Sequence, residues 1–159
     1  MGGFSGGLVS KTIVLASSAV AVSHTGTTAK TALVTIPLPA LGANDQIRYQ
    51  VAYSSVSSAN NKTYAVTLGG VGGTDFFAST QTVGHFLETG SKRICNRGAT
   101  NSQYGGLSAA NIVGSASAST PVSGTIQTNV PVDLCICITL ASAAETAKVE
   151  SYLVELIRG

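Results

Sequence analysis

The chain has 159 residues, enough for one domain that buries roughly 70% of its unfolded surface, so no disulfide or metal staple is required. Only 10% of the residues are charged against an ordinary ~25%, and Ser, Thr, Gly and Ala take their place at a mean hydropathy of +0.32. A lone monomer keeps itself in water with charge, so this composition points to a chain that hides surface against copies of itself or a partner. The net charge of +2, with no Lys/Arg run, excludes an electrostatic footprint for nucleic acid.

Residues 1–10 are Gly-rich and read as a flexible N-terminal arm, with 11–159 as a single domain. The arm has no basic n-region, and Gly6 breaks the myristoylation pattern. No apolar run approaches the ~20 residues that span a bilayer, so no membrane partner is expected. Asn61-Lys62-Thr63 matches a glycosylation sequon, which without a secretion signal reads as chance.

Beyond the arm, β signals dominate. Lys11–Leu15 and Ala19–Ser23 are short β-branched runs. Thr31–Leu38 alternates, with Leu33 and Thr35 on one side and Ala32, Val34 and Ile36 on the other, until Pro37 and Pro39 end it. Leu41–Asp45 is a turn. Gln46–Val56 is a long strand pointing Ile47, Tyr49, Val51 and Tyr53 one way, and it pairs through the Ser57–Asn61 turn with Lys62–Leu68. The glycines at 69, 70, 72 and 73 form a flexible loop before Thr74–Ser79. Further strands are expected at Lys92–Asn96, Gly124–Val130, Val132–Leu140 and Lys148–Ile157. Residues 98–121 read as a long loop with a short helix around Ser108–Ile112, and Ala141–Ala147 as a connection with a helical turn. Roughly nine strands without a long amphipathic helix predict an all-β antiparallel sandwich, in the form of a jelly roll.

The chain is poor in groups that carry chemistry. His24 and His85 are its only histidines, and His85-Phe-Leu-Glu88 lacks the second histidine of a zinc-protease helix, so no metal or other cofactor is expected. Nothing selects a carboxylate pair for glycoside cleavage. Asp45 and Glu145 fall in turns, where such residues serve backbone hydrogen bonds, and the odd separation of Glu150 and Glu155 puts them on opposite faces. Cys135 and Cys137 share a strand face with parallel side chains and read as free buried thiols. Cys95 has Arg93 and Arg97 at i±2, an arrangement that lowers a thiol pKa, but no general base accompanies it and packing explains it. The glycines at 69–73 precede neither a Lys-Ser/Thr pair nor a helix and are no phosphate loop. Tyr49, Tyr53 and Tyr64 belong to the core or its margin. No catalytic residue is assigned; an enzyme of the small jelly-roll hydrolase or isomerase kind is the reading least supported.

Four phrases carry a resemblance: Leu41-Gly-Ala-Asn-Asp-Gln-Ile-Arg48, Asn60-Asn-Lys-Thr-Tyr64, Ile94-Cys-Asn-Arg-Gly-Ala-Thr-Asn-Ser-Gln103 and Leu140-Ala-Ser-Ala-Ala-Glu-Thr-Ala-Lys-Val-Glu-Ser-Tyr-Leu-Val-Glu-Leu156. They resemble a domain of tailed-bacteriophage virion proteins, and the likeness covers about residues 10–158. The resemblance implies a jelly roll that assembles as a homotrimer on phage heads or tail appendages, made in the host cytoplasm and resident in the virion. It implies that the Asn96-Arg97-Gly98 turn braces a loop and that Glu150–Leu156 lies in the sandwich. The absence of a stalk or coiled coil favours a capsid decoration, or cement, protein bound to the major capsid protein. Gly2, Gly3, Phe4, Gly6, Gly7 and Leu8 would then lie across the capsid lattice. The alternative is a fibre head domain that binds a bacterial surface glycan through Asn101, Gln103 and Tyr104.

Overall fold

The computed structural model describes residues 11–82, 84, 86–106 and 121–159. The arm at 1–10, His85 and the helix expected at Ser108–Ile112 lie outside the described residues. Twelve strands are present, and no helix occurs among the described residues: β1 Lys11–Ser18, β2 Val22–His24, β3 Thr31–Leu38, β4 Gln46–Ser55, β5 Lys62–Leu68, β6 Thr74–Gln81, β7 Phe86–Glu88, β8 Lys92–Asn96, β9 Gln103–Gly105, β10 Val122–Gly124, β11 Val132–Leu140 and β12 Ala147–Arg158.

The strands form two antiparallel sheets. The larger runs β1-β12-β4-β8-β9-β10, with β2 also on β12 and β7 also on β4; the smaller runs β3-β11-β5-β6. The antiparallel pairs β1·β12, β3·β11, β4·β8 and β5·β6 nest one inside the next, as in a long hairpin. The contacts β12·β4 and β11·β5 roll that hairpin into a sandwich. This is the jelly-roll wrap, and the all-β sandwich expected from the sequence is the observed fold. Two of its strands are interrupted. β1 and β2 share β12, and β7 and β8 share β4. At the second break Thr89 continues the ladder: its amide donates to the Val51 carbonyl at 2.9 Å, and its Oγ1 accepts the Val51 amide at 3.0 Å.

Alternation builds the core. Ile47, Tyr49, Val51 and Tyr53 of β4 face Tyr64, Val66 and Leu68 of β5 and Leu134, Ile136 and Ile138 of β11, all buried. The tyrosines are core residues whose hydroxyls reach the opposite sheet: Tyr53 donates to the Ala65 carbonyl at 3.2 Å and Tyr49 to that of Phe76 at 3.4 Å. The rings of Tyr53 and Tyr64 lie 4.8 Å apart, so the aromatic centre is both packed and hydrogen-bonded.

Several expectations need correction. Two bulges reverse the inward-outward parity that the sequence implies. One falls between Val149 and Ser151 of β12, so Val149 and Val154 are both buried; Glu150 and Glu155 therefore share the outer face, where they meet Ser54 and Arg48. The other, opposite Ile136/Cys137, turns Ala32 outward against the cysteines while Val34 and Ile36 face the core. Gly124–Val130 is not a strand beyond Gly124. The amides of Ile126 and Thr128 are taken instead by Gln103 Oε1 at 2.8 Å and the Thr100 carbonyl at 2.9 Å. The 69–73 loop is a hydrogen-bonded turn rather than a flexible one, with the Gly69 and Gly70 amides donating to the Asp133 carbonyl and that of Gly73 to Gly70. The 141–147 connection holds a single turn closed by the Glu145 amide on the Ser142 carbonyl at 3.1 Å, not a helix.

Candidate functional site

The polar side chains that a catalyst would need are largely committed to bracing. Asp45 sits buried in the β3–β4 turn, where its Oδ2 accepts the Gly42 amide at 2.7 Å and its Oδ1 the Gly159 amide at 3.1 Å; it also pairs with Arg158. Burial pushes its pKa up, but the two amides and the Arg158 guanidinium outweigh that, and the carboxyl titrates below its ordinary 3.8. A carboxylate with a lowered folded pKa stabilises the fold fully above the unfolded value and loses that contribution as pH falls through the folded one. Asp45→Asn is therefore expected to flatten the acid limb of the stability-pH curve, measured by urea unfolding below pH 5 (about one unit above the unfolded carboxylate range).

Asn96 and Gln103 hold the 96–106 region together. Asn96 Nδ2 donates to the Gly42 carbonyl at 2.7 Å and to Thr128 Oγ1 at 2.8 Å. Gln103 Nε2 donates to Asn96 Oδ1 and to the Thr100 carbonyl, both at 3.0 Å. The turn at Asn96–Gly98 thus braces the loop, with Gly98 at a φ of 69°. Of the three glycan-contact candidates, Gln103 is buried with its amide spent in this network, Asn101 is exposed, and Tyr104 lies under the Arg97 guanidinium at 4.8 Å. The role of Gln103 had no local signal, because its partners are distant in sequence.

The thiols are free, as their spacing predicts. Cys135 and Cys137 are buried on the outer face of the smaller sheet with Ala65, beside the Lys30–Asp75 ion pair at 2.5 Å, whose Asp75 also accepts Thr67 Oγ1. Burial raises both their pKa values. Cys95 is raised as well, because burial outweighs the attraction of Arg93, so the sequence expectation of a lowered pKa is not met; Arg97 is engaged by Tyr104 instead. A maleimide at neutral pH is therefore expected to modify the half-buried Cys95 slowly and first. Cys135 and Cys137 should react only after unfolding, and mass spectrometry showing Cys137 labelled in the folded protein would contradict this.

His24 is buried at the end of β2, and its Nε2 finds no hydrogen-bond partner among the described residues. No group of three His, Cys, Asp or Glu side chains able to hold a metal occurs among the described residues. No helix there is long and apolar enough to cross a membrane.

What the two sheets present outward differs. The larger sheet points Arg48, Arg93 and Glu155 outward in one cross-strand row, with Lys148 beside Ser54 and Glu88 beside Ala52 in others. The smaller sheet presents Thr35, Thr63, Ala65, Ala78, Thr80 and Thr139 around the cysteines, with Lys30 and Asp75 already paired to each other. Thr63 and Thr80 bond to one another at 2.8 Å across β5 and β6. Exposed Asp133 of β11 adds one further charge to the smaller sheet's outer face, so charge is denser on the larger sheet than on the smaller one.

No protein-family model matches the chain, and no curated protein matches its sequence. Among solved structures it is similar to a chain in the structure of the infectious bursal disease virus Gx strain, at 11% identity and a TM-score of 0.44, over 95% of this chain and 32% of that one. The crystal structure of the infectious bursal disease virus VP2 subviral particle shows 12% identity and a TM-score of 0.42, over 94% of this chain and 32% of that one. The Gt strain of the same virus gives 12% identity and a TM-score of 0.41, over 95% of this chain and 33% of that one. The chain therefore spans about a third of the length of the chains it matches.

Proposed function

We propose that this chain is a non-enzymatic virion structural subunit, a capsid decoration protein that trimerises and clamps neighbouring capsid subunits. The observation that carries the reading is the unequal distribution of charge between the two sheet faces. A face of Thr, Ala and Cys side chains whose charges are the Lys30–Asp75 ion pair and Asp133 at one end loses less hydration than the larger sheet's face when another protein covers it. The charged outer face of the larger sheet suits solvent. The jelly-roll wrap, the bracing role of Asp45, Glu145, Asn96 and Gln103, and the resemblance drawn from the sequence point the same way. In this reading the smaller sheet faces its neighbours in the trimer. Gly2, Gly3, Phe4, Gly6, Gly7 and Leu8 extend over the capsid lattice and bind the major capsid protein. Anything that binds only the assembled shell stabilises it by mass action.

Light scattering on the purified chain, together with cosedimentation on the particles that carry it, tests this. A trimer that dissociates on Ala78→Arg or Thr80→Arg, and particle occupancy that falls when residues 1–10 are deleted, are the expected results. A monomer with no affinity for particles would end the proposal.

A further inference from the structure

The outer face of the larger sheet holds a shallow hollow beside the β12 bulge, lined by Gln50, Ala52, Glu88, Ser151 and Leu153. Ala52 forms its floor. Cross-strand register puts Glu88 and Ser151 on either side of Ala52, and Gln50 opposite Leu153 in the next row. On the rows to either side the outward carboxylates are occupied, Glu155 by Arg48 at 2.6 Å and Glu150 by Ser54. Around the hollow this pattern stops: among the described residues, the side chains of Gln50, Glu88 and Ser151 take part in no hydrogen bond or ion pair. Phe86 precedes Glu88 by two residues on the same face of β7, about 7 Å along the strand, and is 64% exposed. Phe76 and Phe77, by contrast, are buried.

We propose that this hollow and the neighbouring Phe86 form a subsite for one neutral pyranose ring, stacked on Phe86 and hydrogen-bonded by Glu88. A sugar ring offers an apolar C–H face edged by hydroxyls that donate and accept. Phe86, one row outside the hollow, supplies an exposed aromatic face and Glu88 a carboxylate that only accepts, while the amide of Gln50 and the hydroxyl of Ser151, which do both, lie farther along it. Glu88 repels anionic ligands, Arg48 is already held by Glu155, and the outward cation in the row of Phe86, Lys148, lies two strands away across Ser54, so no free cation lines the hollow. The site is shallow and open, which suits a weak subsite occupied repeatedly across many copies rather than a closed pocket. It lies on the larger sheet, away from the face assigned to neighbours in the trimer, so it stands independently of that assignment.

Titration of the isotope-labelled full chain with the methyl glycosides of glucose, galactose and N-acetylglucosamine, and with glucuronate, tests the subsite by amide chemical shifts. At least one neutral glycoside should give saturable shifts confined to 50–54, 86–88 and 151–153, with none from glucuronate. Phe86→Ala should abolish them, and Glu88→Ala should weaken binding about tenfold, the loss of one charge-assisted hydrogen bond. Both residues are solvent-facing, so their variants should melt like the parent. No saturable shift from any neutral glycoside, shifts that survive Phe86→Ala, or a preference for glucuronate would each overturn the proposal. Particle cosedimentation of Phe86→Ala separates the two readings. Lost particle binding without any sugar response makes the hollow a protein contact and removes the subsite. Sugar shifts in a chain that binds no particle uphold the subsite while removing the assembly reading.

Discussion

Lys62→Met is expected to lower the stability of the fold by about 3 kcal/mol, seen as a lower urea midpoint at unchanged slope. Lys62 is 0% exposed; its ammonium donates to Ser58 Oγ at 2.5 Å and to the Asn60 carbonyl at 3.0 Å, and it forms an ion pair with Glu145 Oε2 at 3.1 Å. Asn60 Nδ2 adds a bond to Glu145 Oε1 at 2.9 Å, so the 57–61 turn and the 142–146 turn are joined through one ion pair. Methionine fills the space but leaves a carboxylate with one partner fewer in a site that little water reaches. The double variant Lys62→Met/Glu145→Leu should recover much of the loss, because exchanging a whole buried pair for apolar groups is far cheaper than breaking it. A double variant no more stable than the single one would show that the turns, not the pair, limit stability. The same network fixes a pH response. The Asn60, Ser58 and Lys62 hydrogen bonds hold the Glu145 carboxyl below its ordinary value, so its contribution is complete above the unfolded pKa and fades as pH falls through the lowered one.

That lysine was legible in outline. It shares parity with Tyr64, Val66 and Leu68, so a strand at Lys62–Leu68 must point it toward the core. The long strands β4, β5 and β11 could be read because alternation and β-branched composition agree there. Their pairing could not: β4 and β5, expected to form a hairpin across the 57–61 turn, lie in opposite sheets, β4 on β12 and β8 and β5 on β11 and β6. What could not be read depends on contacts between distant segments. The bulges in β12 and opposite Cys137 leave no mark in composition, yet each reverses the facing of everything beyond it, as Glu150, Glu155 and Ala32 show. β7 and β9 are too short for a period to emerge, and Ile126–Val130 has strand-like composition but gives its amides to Gln103 and Thr100. The hollow is of the same kind. Gln50, Glu88 and Ser151 meet only because β4 lies between β7 and β12.

The glycines between β5 and β6 should show a graded response to alanine, with Gly73→Ala the most damaging at about 3 kcal/mol. A Cβ on Gly72 would meet nothing within 4 Å, so Gly72→Ala is expected to be neutral or slightly stabilising through the unfolded chain. Gly70 also has open space, but its φ of 81° lies in the left-handed region, so alanine there costs about 1 kcal/mol of backbone strain. Gly73 has an ordinary φ, yet its Cβ would stand 2.0 Å from the Leu68 carbonyl oxygen, which the turn itself holds in place. A flexible side chain could swing away from such a contact, whereas backbone can yield only if the β5–β6 hairpin opens or shifts register. The hairpin has little freedom to do so, because Gly69 and Gly70 are tied to the Asp133 carbonyl of β11 at 2.9 and 3.2 Å. Urea midpoints for the three variants should therefore fall in the order Gly72, Gly70, Gly73. A Gly73→Ala protein as stable as Gly70→Ala would mean that the turn relaxes freely, and that its hydrogen bonds to β11 do not fix the edge of the smaller sheet.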